Sequence, residues 1–258
     1  MVDTTYHIPG APRIALLADL HNRPYSSVIS SVAAHHPSII CICGDVVYGG
    51  WPEGNRSPIE TQLNVLPFFR ACVELAPTFF SLGNHERRLD RADLAAIHGT
   101  GVVLLDNNWV STVVDDKAVV IGGLTSAYVT DYRKIARRTA ENRYPKMGDV
   151  RRHHIPETAW LRSFSSQPGY RILLSHHPSY ISYIPENVDL ILSGHLHGSQ
   201  WRYYSFLHHE WRGVFNPDEG WFPTMSKGVY GRIVISAGLS NTGHVPRICN
   251  PTEIVYID

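Results

Sequence analysis

Short apolar runs, each stopped by a polar or glycine-containing cluster, recur along most of this chain. Ile14 to Ala18 stops at Asp19-Leu20-His21, Ile39 to Cys43 at Gly44-Asp45, and Phe79 to Leu82 at Gly83-Asn84-His85-Glu86. Further on, Ile172 to Leu174 precedes His176-His177-Pro178, and Leu190 to Ser193 precedes Gly194-His195-Leu196-His197. Runs this short, bounded by Gly and polar residues, predict buried strands. Between the early strands the pattern predicts a helix around Ser26 to Ala34 and another around Arg91 to Ile97. Ser57-Pro58-Ile59-Glu60 combines a Ser-x-x-Glu capping box with Pro at the first helical position, so a helix starts there. Pro67 is then expected to kink or interrupt it before Leu75.

The later chain changes character. Val102 to Leu105, Trp109 to Val114 and Ala118 to Ile121 are joined by turns at Asp106-Asn107-Asn108 and Asp115-Asp116-Lys117, which predicts antiparallel pairing. Tyr170 to Leu174, Leu190 to Ser193, Arg232 to Ala237 and Glu253 to Ile257 read as further strands. The early strand-helix-strand units require parallel strands with right-handed crossovers. The expectation is an α/β (α+β) fold in which two mixed sheets pack together with helices outside. In such sheets the ligand crevice lies beyond the carboxyl ends of the strands, so the five polar clusters should converge there.

Composition narrows the class without changing that picture. With 258 residues, 43% of them hydrophobic and 18% charged, the chain is expected to form one domain over 1–258, at the upper end of single-domain size. A formal net charge of +0 gives no global attraction for bulk nucleic acid or an anionic membrane. The start of the chain is polar, and Ile14 to Ala18 is too short for a signal core or a transmembrane segment. Four cysteines (Cys41, Cys43, Cys72, Cys249) fit a reducing, cytoplasmic setting, with Cys41 and Cys43 acting as small hydrophobes in a buried strand.

The clusters bring in chemistry. Asp19, His21, Asp45, Asn84, His176, His195 and His197 offer hard oxygen and borderline nitrogen donors, with no thiolate among them. That donor set suits Mn, Fe or Zn, permits Mg, and does not suit a Cys-rich structural zinc site. Seven ligands exceed what one tetrahedral ion takes, so two divalent ions are expected. In extended backbone, residues at i and i+2 point to the same side, which would aim Asp19 with His21, and His195 with His197, into one site.

D-x-H, G-D, G-N-H-D/E, a later His and G-H-x-H, in that order, are the blocks of the calcineurin-like metallophosphoesterase superfamily, which this chain resembles from Asp19 to His197. Any one block is common by chance; five in order, each at a strand end, are specific. The resemblance implies a four-layer sandwich and a phosphoric ester hydrolase. It further implies one ion on Asp19, His21 and His197, a second on Asn84, His176 and His195, and Asp45 as the bridge. His85 takes the place of the family's non-ligand histidine, set against the scissile phosphate and its leaving oxygen. Two such ions, about 3.5–4 Å apart, would clamp an in-line displacement and make a bridging hydroxide available at neutral pH. Only two of the seven ligands are anionic, so the site would keep a charge of about +2 for a phosphate mono- or diester or pyrophosphate.

Some positions leave the reading open. Many relatives carry a second Asp three residues after the bridging one, where this chain has Tyr48. Tyr48 either lines the pocket or packs on its loop. Of His176 and His177, the His-x-Pro spacing makes His176 the ligand, and His177 either faces substrate or is simply a satisfied polar residue. A basic insertion at about 131–154 includes Arg137 and Arg138, which either grip an anionic substrate from a lid or belong to a solvated face. An aromatic loop at about 200–229 holds Trp201, Tyr203, Tyr204, Phe206, Trp211, Phe215, Trp221 and Phe222. Most of these are expected to pack as a satellite core, although a ring-bearing substrate portion is an alternative.

The Gly-His-Leu-His-Gly-Ser-Gln run and the stretch from Pro246 to Glu253 resemble the bacterial branch related to UDP-diacylglucosamine pyrophosphate hydrolases. Many members of that branch have an N-terminal membrane segment, which is not seen here. The partner expected is therefore a small phosphorylated substrate, lipid-linked or nucleotide. A nuclease or cyclic-nucleotide phosphodiesterase on the same scaffold and a non-catalytic metal-binding scaffold protein are the alternatives. Intact ligand positions and His85 speak against the second, and neutral net charge against bulk nucleic acid as substrate.

Overall fold

The apolar runs do become strands, and a computed structural model of the chain arranges them in two six-stranded mixed sheets. The structure describes residues 1–49, 57–138, 155–216, 218–241 and 245–258, without the side chains of 135–138. The first sheet runs β1 (Val2–Tyr6), β16 (Glu253–Ile257), β2 (Ile14–Leu17), β3 (Ile39–Cys43), β4 (Thr78–Ser81) and β5 (Val103–Leu105), all neighbours parallel except β16 with β2. The second runs β14 (Gly228–Tyr230), β15 (Ile233–Ile235), β9 (Leu190–Ser193), β8 (Tyr170–Ser175), β7 (Lys117–Leu124) and β6 (Asn108–Val114), antiparallel only at its two edges.

The alternation within each strand explains the layers. Leu16, Cys41 and Phe79 of the first sheet face Ile121, Ile172 and Leu192 of the second in one buried cluster. Their strand neighbours Leu17, Ile42 and Phe80 point outward, onto α1 (Ser26–His35) and α3 (Val65–Leu75) through Val28, Val32, Phe68 and Phe69. On the far side of the second sheet Leu173 and Ile191 meet Phe164 of α6 (Leu161–Ser165). Strands covered on both faces have no need of polar positions, hence the unbroken apolar runs.

Three expectations change. The capping box at Ser57 and Glu60 forms, yet α2 (Pro58–Thr61) is a single turn, and the break falls at Gln62 to Asn64. Pro67 then sits in the first turn of α3, where a missing N–H leaves no helical bond unmade. Secondly, β5 pairs in parallel with β4, so Asp106-Asn107 carries the chain from one sheet to the other, and only β6 and β7 form the hairpin. Thirdly, the polar start contains β1, held along β16. α4 (Arg91–His98) has an Asp90/Asp93 capping box of its own.

The aromatic loop folds as two small hairpins, β10 (Arg202–Ser205) with β11 (Glu210–Gly213) and β12 (Phe215–Asn216) with β13 (Gly220–Trp221). It is not a satellite core: all eight of its named aromatics remain exposed, and seven of them touch one another edge-on, as Tyr204 does Trp211 and Phe215 does Trp221. Within the basic segment, α5 (Ala127–Arg138) places Arg133 on Asp106 at 2.7 Å and Lys134 on Glu157 at 2.9 Å. Residues 139–154 and the side chains of Arg137 and Arg138 lie outside the described residues. Among the described residues no helix is long and apolar enough to cross a membrane.

Candidate metal centre

All five polar clusters leave the carboxyl ends of parallel strands, β2, β3 and β4 in one sheet and β8 and β9 in the other, and they meet where the two sheets abut. Asp19, His21, Asp45, His195 and His197 all have positive φ, between 48° and 69°. The same-side argument from extended backbone therefore does not apply; tight left-handed turns beyond the strands aim these side chains instead. The turns also press together. A β-carbon at Gly44 would lie 2.6 Å from the α-carbon of Gly83, and one at Gly83 would lie 2.3 Å from Asp45 Oδ1.

Ligand-type atoms of Asp19, His21 and His197 lie within 4.8 Å of one another, as do those of Asp19, Asp45 and His176. Asp19 Oδ1 is 3.8 Å from His21 Nε2 and 3.6 Å from His197 Nε2, while Asp45 Oδ2 is 3.1 Å from His176 Nε2. Asn84 Oδ1 is 3.1 Å from the same His176 nitrogen. The outer nitrogens are held by backbone: His176 Nδ1 donates to the Cys43 carbonyl at 2.6 Å and His197 Nδ1 to that of Ser240 at 3.0 Å. Carbonyls accept only, so each ring presents its Nε2 to the cluster.

Electrostatics follow the burial. Burial pushes His21 down to about 3 even with Asp45 nearby, and it lowers His197 and His85 as well, so these rings are neutral. Burial also works against charge on His176, but Asp45 and Asp19 outweigh it and push that residue up to about 10. Asp45 is likewise held well below the usual carboxylate range, its burial opposed by His176 and His85.

His195 stands at the rim. Its backbone N–H donates to Asp19 Oδ2 at 3.1 Å, and its Nε2 meets Asp218 Oδ1 at 3.2 Å. His177 is buried behind it, sharing a hydrogen bond of 2.9 Å with Ser126 Oγ, and it offers a ligand-type atom within 4.8 Å of those of His176 and His195. His85 lies across the cluster with Nε2 3.8 Å from Asp45 Oδ2. The Gly49 N–H donates to its Nδ1 at 2.7 Å, which leaves the ring proton on Nε2. Tyr48 is exposed, its ring centre 6.4 Å from that of His85, at the edge of the site.

Sequence reasoning passed over Glu86. Its fully buried carboxylate accepts the backbone N–H groups of Asp45 (2.9 Å), Val46 (2.8 Å), Val47 (3.2 Å) and Gly83 (2.8 Å), tying the Gly-Asp and Gly-Asn turns together. Burial and the Asp45 charge push it up to about 7, against the pull of those donors. Asp218 was missed too, because it lies in the β12–β13 hairpin, 23 residues along the chain from His195. A cavity of about 380 Å³ opens over the cluster, bounded by Asp45, His85, His195 and His197 on one side and by Trp201 and Trp221 on the other.

Comparison with known proteins places the chain in a family. The family model described as calcineurin-like phosphoesterase matches residues 12–199, a span that holds all five clusters. An uncharacterized metallophosphoesterase of Helicobacter pylori is 28% identical over 259 residues, which is 95% of this chain and 59% of that protein. One from Campylobacter jejuni is 24% identical over 95% of this chain and 56% of its own length, so the chain spans little more than half of either relative. Uncharacterized protein YpbG of Bacillus subtilis is 25% identical, covering 92% of this chain and 81% of that one. Among solved structures, a 5′-nucleotidase precursor from Thermus thermophilus superposes with a TM-score of 0.52 at 15% identity, over 88% of this chain and 49% of that one, a likeness of fold. With its ligand-bearing turns all inside the matched span, the chain belongs to the calcineurin-like phosphoesterase family.

Proposed function

We propose that the chain hydrolyses a phosphate mono- or diester or pyrophosphate of a small molecule, using two divalent ions. Asp19, His21 and His197 would hold one, Asn84, His176 and His195 the other, and Asp45 would face both. The observation that carries this reading is a pair of buried polar atoms that face each other at 3.8 Å with no hydrogen-bond partner among the described residues, Asp19 Oδ1 and His21 Nε2. A buried polar atom left unpaired costs about 1–3 kcal/mol, so two that converge are accounted for by ligation. The donors are carboxylate, amide and imidazole, a set that Mn, Fe or Zn accepts and Mg tolerates.

When bound, the ions neutralise phosphate charge and acidify water so that hydroxide is available near neutral pH. The protein's own part is to position. His85 N–H donates to Asp45 Oδ1 at 2.8 Å, which turns Oδ2 toward the cluster. The His85 Nε2–H, neutral and fixed by Gly49, donates into the cavity to a phosphoryl or leaving oxygen. Neutral Asn84 in place of a third carboxylate keeps the site positive for an anionic ester. Four unpaired thiols, Cys41, Cys43, Cys72 and Cys249, support a cytoplasmic location.

Metal analysis with turnover of p-nitrophenyl phosphate and bis-p-nitrophenyl phosphate tests the reading. Two equivalents of metal and hydrolysis of at least one ester are expected; bound metal with no ester turned over refutes it. His85→Ala should keep both ions and lose about 10²–10⁴ in rate, most on esters with poor leaving groups. Full rate on an unactivated ester would remove His85 from its assigned place.

Metal affinity should also depend on pH. With the His176 pKa at about 10, that ring carries a proton at neutral pH, and its Nε2 can ligate only after losing it. Affinity therefore rises with pH, by about tenfold per unit below pH 10, with close to one proton released. Titration calorimetry at pH 6.5 and 8.5, in buffers of different ionisation heat, reads both; equal affinities at the two pH values contradict the assignment.

A further inference from the structure

The histidines of the cluster are oriented in two different ways. His176 and His197 each give Nδ1 to a backbone carbonyl and keep Nε2 for the ligand side. His195 is held at the opposite nitrogen, its Nε2 meeting Asp218 Oδ1 at 3.2 Å. An ionised carboxylate only accepts, so the proton lies on Nε2 and the lone pair of the neutral ring lies on Nδ1. Asp19 meanwhile fixes the main chain of the same residue, accepting the His195 N–H on Oδ2 at 3.1 Å.

Asp218 is presented by a braced turn. Asn216, with no solvent exposure, accepts the backbone N–H groups of Asp218 (3.0 Å) and Glu219 (2.7 Å) on Oδ1 and donates from Nδ2 to the Met225 carbonyl at 2.9 Å. The Glu219 carboxylate in turn accepts the N–H groups of Thr224 (2.8 Å) and Met225 (3.1 Å). An Asx turn tied down at both ends fixes where the next side chain starts. The His195 and Asp218 side chains are only 14% and 18% exposed, so their contact is largely shielded from water. The same β12–β13 hairpin carries Phe215 and Trp221, which line the cavity together with the ligands. One carboxylate thus connects that wall to a ligand.

We propose that Asp218 is a positioning residue for one of the two ions: it turns His195 so that Nδ1 is the ligating nitrogen, and it joins the β12–β13 hairpin to metal occupancy. The inference rests on the reading above that His195 holds an ion. A carboxylate on the far nitrogen of a ligating histidine fixes its tautomer and ring orientation and raises its basicity, an effect worth about 10–100-fold in metal affinity. Coupling of this kind is reciprocal: whatever factor the hairpin adds to the hold on the ion, the ion adds to the hold on the hairpin.

The test reads metal and hairpin apart from turnover. Titration of the metal-free protein with zinc chloride should show two binding events, of which Asp218→Ala weakens one by about 10–100-fold and spares the other. Asp218→Asn, whose amide oxygen can still accept the Nε2 proton, should recover part of that loss. With cadmium and nitrogen-labelled histidine, NMR coupling to the metal is expected at Nδ1 of His195 and at Nε2 of His176 and His197. Exchange of the hydrogen-bonded amides of Asp218, Glu219 and Phe222 should slow about tenfold or more on loading the wild type, and little in Asp218→Ala. Two ions bound at wild-type affinity in Asp218→Ala, coupling at Nε2 of His195, or hairpin exchange indifferent to metal overturns the assignment and leaves the phosphoesterase reading standing. Wild-type protein that takes up fewer than two ions removes that reading, and the role of Asp218 goes with it.

Discussion

Glu86→Ala should cost the protein its ordered metal site and much of its stability. The carboxylate accepts four backbone N–H groups, from Asp45, Val46, Val47 and Gly83, at a position with no solvent exposure. Truncation leaves those donors facing a void. At about 1–3 kcal/mol for each unpaired group, the loss is on the order of 4–12 kcal/mol before water enters the space. A net stability of about 5–15 kcal/mol does not comfortably absorb that. Poor soluble yield or a melting temperature lower by more than about 10 °C is expected, with no stoichiometric metal. Glu86→Gln keeps one accepting oxygen, enough for two of the four donors, and presents an amide N–H₂ to the others. It should fold and bind metal about 10–100-fold more weakly, in the range found when groups supporting a metal ligand are changed. Wild-type melting in the alanine variant, or wild-type metal affinity in the glutamine variant, would show that the two turns hold their shape without this residue.

Glu86 is visible in the sequence as the last residue of the Gly-Asn-His-Glu block, but its role is not, and the reason lies in what it binds. Its partners are backbone N–H groups, which every non-proline residue carries, so no residue pattern marks them. The same is true of the Cys43 and Ser240 carbonyls that orient His176 and His197. By contrast Asp19, Asp45, Asn84, His176 and His197 are legible because an apolar run ending in a ligand-type residue is a local signal, and strand direction then dictates where it ends. The β5 pairing goes the other way. Asp106-Asn107-Asn108 marks a reversal correctly, but which strand receives the chain depends on Leu105 being buried between the sheets and on Asn107 Oδ1 accepting the Thr125 N–H, contacts far apart in sequence. Likewise Val2–Tyr6 carries little apolar signal, and it becomes a strand because β16 offers it an edge. The exposed aromatics of the hairpins defeat a composition argument for a different reason: apolar residues pack inside unless a ligand supplies the missing cover, and composition does not distinguish the two.

Asp45→Asn is expected to leave the fold intact and abolish the effect of metal on it. The amide keeps the side chain's size, and its oxygen can still accept the His85 N–H that now reaches Asp45 Oδ1 at 2.8 Å. What disappears is the negative charge at the centre of the cluster, 3.1 Å from His176 Nε2 and 3.8 Å from His85 Nε2. Wild-type protein with metal at a hundred times its dissociation constant gains about 2.7 kcal/mol, which for a chain of this size is roughly 5–10 °C in melting temperature. The variant should show little of that gain and retain below about 1% of the ester turnover, since even groups one step removed from a metal are worth 10–100-fold in affinity. In the metal-free state His176 supplies an independent reading. Asp45 is the foremost of the charges that hold its pKa at about 10 against burial, so in Asp45→Asn the histidine should titrate at clearly lower pH by NMR. An unchanged His176 titration together with full metal-dependent stabilisation would mean that Asp45 faces neither ion, and the two-ion arrangement would fall with it.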